Sequence, residues 1–259
     1  MAATRIITNA WKVRTLPDVF YEEPDPVEDG MQQEAPIDRI GHLLRQRYED
    51  QPDVFISGGV FVSYDITDGN RRVKPDLFIA FDVDNAGIRE NLPNFWTWEI
   101  GKAPDFVMEV ASPSTAANDL GWKRELYQRL EIQEYWRFDP TGGRLYGKPI
   151  TGERLVNGEY EECPSEYGVD GSMRSRSELL DVVFYWSGEE FDVLDPATGM
   201  TLDKRVAAEA RADAAEARAI VAEAELNLEQ TARGQAETRA NAAEAELARL
   251  RERLRGREP

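Results

Sequence analysis

The sequence predicts an α/β (α+β) protein: a mixed central β-sheet flanked by helices, followed by a long C-terminal helix. Three observations carry this. Two short, strongly apolar runs, residues 76–83 and 105–111, have the length and the preceding prolines of buried strands. A charged, periodic stretch over 114–130 separates the second run from a third, 134–138, in strand–helix–strand order. From about Asp203 onward Ala, Glu and Arg dominate, with no aromatic residue and no proline before Pro259, the composition of a solitary long helix.

Residues 1–35 read as an extended, acidic N-terminal arm, with prolines and a run of carboxylates between Glu22 and Glu34. A helix is expected over 37–48, with Ile37, Ile40, Leu44 and Tyr48 on one face. His42 lies off that stripe and reads as a surface histidine. Residues 54–64 form a strand, or a pair broken by Gly58 and Gly59. After the strand at 76–83, residues 84–103 form an insertion whose Trp96 and Trp98 pack over the sheet edge. The strand at 105–111 ends in Ser112-Pro113, an N-cap followed by proline at the first helical position. One helix then runs to Leu130. Beyond the strand at 134–138, shorter strands follow at 145–150, at a hairpin turning on Asn157-Gly158, at 179–186 and at 191–194, finishing the sheet. In the tail, 202–259, heptads place Ala208, Ala212, Ala215, Ala219, Ala222 and Leu226 on one seam, which resumes from Ala236 to Leu254. An alanine seam buries little area, so association is weak except near the Leu-rich end. A homodimer through this coiled coil is the expected assembly.

Composition narrows the chemistry. The net charge is −18, and the tail, with 11 basic and 12 acidic residues, contributes almost none of it. The acidity belongs to residues 1–201 and argues against a general polyanion binder. One cysteine, Cys163, excludes an intramolecular disulfide and a Cys-rich zinc site, and fits a reducing compartment, with the cytoplasm as the expected location. No stretch is apolar enough for a signal peptide or a membrane span. The single histidine excludes Ser-His-Asp, Cys-His and His-metal chemistry. An enzyme of this composition must work with carboxylates and lysine.

Such a set exists between residues 74 and 140. With period two, Asp105, Val107, Glu109 and Ala111 share one strand face, and Phe106, Met108 and Val110 the other. Both faces are mostly apolar, so Glu109 is expected to be buried, which is costly unless the carboxylate is paired or binds a cation. Asp76, after Pro75, sits at the end of a neighbouring strand. On the helix, Lys123 shares a stripe with Leu120, Leu126, Tyr127 and Leu130, with Asp119 one turn earlier. An inward lysine needs an anionic partner. Arg124, Glu125 and Arg129 fall on the solvated face. Asp76, Glu109 and the backbone carbonyl of Val110 could hold a hard divalent cation such as Mg²⁺, with Lys123 stabilising a developing oxyanion or orienting water. An internal Asp/Glu–Lys network without metal remains an equal reading of the spacing.

The same residues carry a resemblance. Pro75-Asp76, Pro104-Asp105-Phe106-Val107-Met108-Glu109-Val110-Ala111-Ser112-Pro113-Ser114-Thr115, Asp119-Leu120-Gly121-Trp122-Lys123, Leu126-Tyr127, Glu134-Tyr135-Trp136 and Asp139-Pro140 resemble the Uma-two family of endonucleases, a branch of the PD-(D/E)XK superfamily. The resemblance covers roughly residues 36–195, and its specificity lies in the combination. It implies a restriction endonuclease-like core over 36–201 and Mg²⁺- or Mn²⁺-dependent cleavage of phosphodiester bonds in DNA. It implies catalytic roles for Asp76, Glu109 and Lys123, metal ligation by Asp76, Glu109 and the Val110 carbonyl, and a supporting role for Asp119. Ala111 stands where the superfamily has its strand lysine; Lys123 matches the lysine this branch uses instead. Glu131-Ile132-Gln133-Glu134 departs from the usual Gly-Val-x-Glu. The competing expectation is a catalytically inactive nuclease-fold protein that acts as a binding or assembly module through its tail. The acidity of residues 1–201 weighs against DNA, since phosphate contacts draw on Lys and Arg. Arg71, Arg72, Lys74, Lys102, Lys123, Arg124, Arg174 and Arg176 could form a local basic rim; which residues would touch nucleic acid is unknown from sequence.

Overall fold

The computed structural model describes residues 31–203 and scattered helical positions between 211 and 249. Residues 1–205 form one compact unit and 206–259 a second. In the first, α1 (Met31–Arg47) is followed by β1 (Phe55–Ser57), β2 (Val62–Ser63), β3 (Arg72–Val73) and β4 (Leu77–Ala80). The insertion holds α2 (Asn85–Asn91), β5 (Phe95–Trp96) and α3 (Thr97–Ile100). Then come β6 (Phe106–Val110), α4 (Ala116–Leu120), α5 (Trp122–Arg129), β7 (Glu134–Phe138), β8 (Ile150–Val156) and β9 (Glu159–Glu162). The last strands are β10 (Ser165–Tyr167), β11 (Met173–Ser177), β12 (Val182–Trp186) and β13 (Phe191–Leu194).

The central sheet has six strands in the order β1-β4-β6-β7-β8-β9. It is mixed: β6 and β7 run parallel, and every other neighbouring pair runs antiparallel. The parallel pair needs a crossover, which α4 and α5 supply. Every residue of β4, β6 and β7 is buried, because helices or a second sheet cover both faces. Phe106, Met108, Val110, Trp136 and Phe138 enter a core shared with α1, β12 and β13. Val107, Tyr135 and Phe78 enter another, closed by Leu126 and Tyr127 of α5. The mixed sheet flanked by helices is the architecture expected of a restriction endonuclease-like core.

Several expectations hold in detail. Ile40 and Leu44 are buried while His42 is exposed. Trp96 is buried and stacks on Trp98 at 5.7 Å with an interplanar angle of 17°. Asn157 and Gly158 have φ of 51° and 87°, the two positive values a type I′ turn requires.

Others are corrected. Helix α1 starts at Met31, inside the expected arm, and contains Pro36; the arm's first 30 residues lie outside the described residues. The expected strand at 145–150 is a run of turns, and β8 begins at Ile150. The last strands do not finish the central sheet: β10 to β13 form their own four-stranded antiparallel sheet. The single helix over 114–130 is two, broken at Gly121, whose backbone (φ −108°, ψ −110°) is not helical. Residues 113–115 form a turn, in which the Ser112 hydroxyl accepts from the Thr115 N–H at 3.2 Å. The break turns Leu120 off the inward stripe and leaves it 44% exposed.

In the second unit the described positions are helical and exposed, Ala212 and Ala215 among them. The other seam positions lie outside the described residues.

Candidate active site

Antiparallel pairing of β4 with β6, Leu77 opposite Met108, brings Asp76 beside the C-terminal end of β6. The β1–β2 turn closes over this point. Gly58 lies so near that a Cβ there would come within 2.3 Å of the Asp76 carbonyl oxygen, so only glycine fits. The Val110 N–H donates to Asp76 Oδ2 at 2.7 Å, and the Asp76 N–H donates to Glu109 Oε2 at 3.4 Å. The two carboxylates are thus cross-tied through each other's strand.

Glu109 is 1% exposed, as its place on a doubly covered strand requires. Helix α5 packs over the same face and presents two donors to it. The Tyr127 hydroxyl donates to Glu109 Oε1 at 2.5 Å, and Lys123 Nζ lies 3.1 Å from the same oxygen. Lys123 Nζ also meets Asp119 Oδ1 at 2.8 Å. Asp119, on α4, is 1% exposed; its Oδ2 accepts from the Tyr146 hydroxyl at 2.6 Å and its carbonyl from Tyr135 at 2.9 Å. The structure therefore brings Asp76, Glu109, Lys123 and Asp119 together, with the Val110 backbone at the same strand end.

The electrostatics follow from burial. Desolvation pushes the Glu109 carboxyl up to about 8; Lys123 opposes the rise, Asp76 and Asp119 add to it, and the Tyr127 hydrogen bond opposes it. Burial works against the Lys123 charge, but Glu109 and Asp119 more than offset it and hold the ammonium above the ordinary lysine range. The phenols of Tyr127 and Tyr146 are raised by burial and by the adjacent carboxylates.

The donor set fits a hard divalent cation. It offers carboxylate and main-chain oxygens without sulfur or imidazole. A cation beside Asp76 and Glu109 would offset the burial and like-charge repulsion that raise the Glu109 carboxyl. Among the described residues no group of three His, Cys, Asp or Glu side chains is arranged to hold a metal. Two carboxylates would need a carbonyl and waters to complete the shell, as Mg²⁺ sites commonly do.

The basic rim does not assemble as a free surface. Lys102 is tied to Asp105, Arg124 to Glu153, Arg176 to Asp181 and Arg71 to Asp68. Arg72 lies over the Phe61 ring and Arg174 over Tyr185. Arg124 is not on the solvated face: with Arg137 it clamps the buried Glu153 at 2.6–2.7 Å. A surface pocket of about 420 Å³, lined by Arg45, Tyr48 and Arg89 among others, contains none of the site residues.

Two participants were not foreseen. Tyr127 was visible as part of an apolar helix stripe, but not as a hydrogen-bond donor to Glu109. Tyr146 gave no signal, because its partner Asp119 is 27 residues away across a helix, a strand and a loop.

Among curated proteins none is significantly similar to the chain. Among solved structures it is similar to a protein from Anabaena variabilis ATCC 29413 described as a putative nuclease belonging to DUF820. That likeness has 12% identity and a TM-score of 0.35, covers 71% of this chain and 83% of the other, and is too distant to bear on chemistry. The Uma2 family model, described as "Putative restriction endonuclease", matches residues 18–181. This is more than half of the chain and includes Asp76, Glu109, Asp119, Lys123 and Tyr146, so the protein belongs to the Uma2 family.

Proposed function

We propose that the protein is a metal-dependent endonuclease that hydrolyses phosphodiester bonds in DNA, with Mg²⁺ or Mn²⁺ as the ion. The observation that best supports this is the convergence of a buried Glu109, Asp76 and Lys123 at one strand end. Membership of a family described as "Putative restriction endonuclease" supports it independently. In this reading Asp76, Glu109, the Val110 carbonyl and waters hold the ion. When bound, the ion supplies an acidified water and neutralises phosphate charge. Lys123 takes the place of the strand lysine absent at Ala111 and directs its ammonium at a non-bridging phosphate oxygen. Asp119 keeps Lys123 from collapsing wholly onto Glu109. Lys74, two residues before Asp76, is the basic residue best placed by sequence to meet the DNA backbone. A homodimer formed through the tail, in the cytoplasm, completes the reading; the lone, buried Cys163 is in keeping with a reducing compartment.

A second reading, a catalytically inactive nuclease fold serving as a binding or assembly module, is favoured by one observation. Glu109 already has three donors, Lys123, Tyr127 and the Asp76 N–H, so the network is satisfied without an ion. The test is titration calorimetry with Mg²⁺ and Mn²⁺, wild type against Glu109→Ala, together with cleavage of supercoiled plasmid, single-stranded DNA and RNA. Ion binding and plasmid cleavage that both vanish in the variant support the endonuclease. Identical calorimetry for the two proteins and no cleavage of any substrate would leave the inactive reading standing. Cleavage confined to RNA would move the substrate, not the site.

A further inference from the structure

The loop between β7 and β8 is fastened to the end of its own strand. Asp139 Oδ1 accepts from the Thr141 N–H at 2.9 Å and from its hydroxyl at 2.5 Å; Oδ2 accepts from the N–H groups of Leu145 at 2.6 Å and Tyr146 at 2.9 Å. Burial works to raise the Asp139 carboxyl, yet these hydrogen bonds hold it below the ordinary carboxylate range. The Asp139 N–H closes the loop by donating to Pro149 O at 2.8 Å. These bonds tie the Tyr146 backbone to the end of β7, and its hydroxyl meets Asp119 Oδ2 at 2.6 Å.

Asp119 is otherwise poorly placed to hold anything still. It lies on α4, a helix of five residues that ends at the irregular Gly121. Its backbone is braced by the Tyr135 hydroxyl and its side chain by Tyr146, and the oxygen left over, Oδ1, faces Lys123 at 2.8 Å. Lys123 therefore has two anchors from different elements: Glu109 on β6 and Asp119 on α4.

We propose that Tyr146 is a positioning residue which, through Asp119, keeps the Lys123 ammonium in the site when Glu109 engages another partner. This rests on the endonuclease reading for its purpose, though not for its geometry. With Glu109 as sole anchor, Lys123 would lose its partner at the moment that side chain engaged an ion. Asp119, locked from behind by Tyr146, supplies a counter-charge that does not move. Neither Tyr146 nor Asp119 touches the reacting atoms in this arrangement.

The experiment compares Tyr146→Phe and Tyr146→Ala with wild type by two readouts. The first is the ¹H–¹⁵N signal of the Lys123 side-chain ammonium in the metal-free protein, assigned by its loss in Lys123→Met. The second is Mg²⁺-dependent plasmid cleavage. In wild type the signal is resolved, because burial and contacts to Glu109 and Asp119 slow its exchange with water. In both variants it broadens or vanishes. Cleavage falls about tenfold in kcat with KM and the Mg²⁺ half-saturation unchanged, the size expected for one lost hydrogen bond to a charged group. A packing role would spare Phe and affect Ala, and that result overturns the proposal. A Lys123 signal unchanged in both variants overturns it as well. If wild type shows no cleavage, the endonuclease reading fails by itself, and the lysine signal still decides whether Tyr146 positions Lys123.

Discussion

Glu109→Gln should remove most of the dependence of stability on pH between about 5 and 8. The glutamate carboxyl moves from 4.5 in the unfolded chain to about 8 in the folded protein, chiefly through burial. Between those values the folded state keeps a proton that the unfolded state has released. Stability therefore falls as pH rises through this interval and levels off above it. The slope for one such group is about 1.4 kcal/mol per pH unit, so raising the pH from 6 to 7.5 removes about 2 kcal/mol. For a domain of this size that corresponds to a Tm lower by about 4–8 °C. The substituted glutamine would keep the shape of the side chain and an acceptor for Tyr127, while Lys123 would retain Asp119. The assay is thermal unfolding by circular dichroism in EDTA, from pH 5.5 to 8, for both proteins. The raised pKa of Lys123 acts above pH 10 and does not intrude on this window. A wild-type Tm that stays flat from pH 6 to 7.5, or an equal slope in E109Q, would refute a buried, proton-holding Glu109.

The same proton couples to metal. If Asp76 and Glu109 bind Mg²⁺ or Mn²⁺, binding below pH 8 should expel close to one proton, and affinity should rise up to about tenfold per pH unit from 6 to 8; calorimetry in buffers of different ionisation enthalpy measures this, and a buffer-independent enthalpy would count against ligation by Glu109. Glu131 sits in the left-handed region at φ 57°, a conformation that glycine adopts without strain. Glu131→Gly should stabilise the protein by about 1 kcal/mol through relief of that conformation, read as a higher urea midpoint; a lower midpoint would show that the Glu131 side chain makes contacts worth more than the strain. Truncation after Leu202 should convert a dimer into a monomer in sedimentation velocity while leaving Tm close to that of the full chain; an unchanged sedimenting species would mean that the tail is not the dimerising element.

The centre of the fold was legible because its signals are local and dense. Asp76 to Val83, Asp105 to Ala111 and Glu134 to Phe138 are short apolar runs, and period two alone puts Glu109 on a buried face. Lys123 was legible from the helix stripe, since it shares its side with Leu126 and Tyr127, both buried. What failed had physical reasons. The Gly121 break is invisible because the apolar spacing through Leu120 matches an unbroken helix. β11 escaped because its inward positions are Met173, Ser175 and Ser177. The two serines are buried by hydrogen bonding to Pro164 O and Glu134 Oε2, and not by hydrophobicity. The Arg124–Glu153–Arg137 clamp and the Tyr146–Asp119 contact join residues 16 to 29 positions apart, and their partners are set by β7–β8 pairing and by a helix meeting a distant loop, which no local pattern reveals.

The lone parallel pairing in the central sheet, β6 beside β7, also bears on the order in which the molecule assembles. Antiparallel hairpins such as β8–β9 close over a few residues, whereas β6 and β7 must be joined across the whole α4–α5 connection. That connection carries Asp119, Lys123 and Tyr127. Until it docks, all three stay hydrated and apart from Glu109, and no charge is yet stranded in a dry interior. Burial of the site's charges thus waits on docking of α4 and α5. If docking of α4 and α5 follows the rate-limiting step, E109Q slows unfolding and leaves the refolding rate nearly unchanged in stopped-flow measurements; a slower refolding limb would place Glu109 burial before that step.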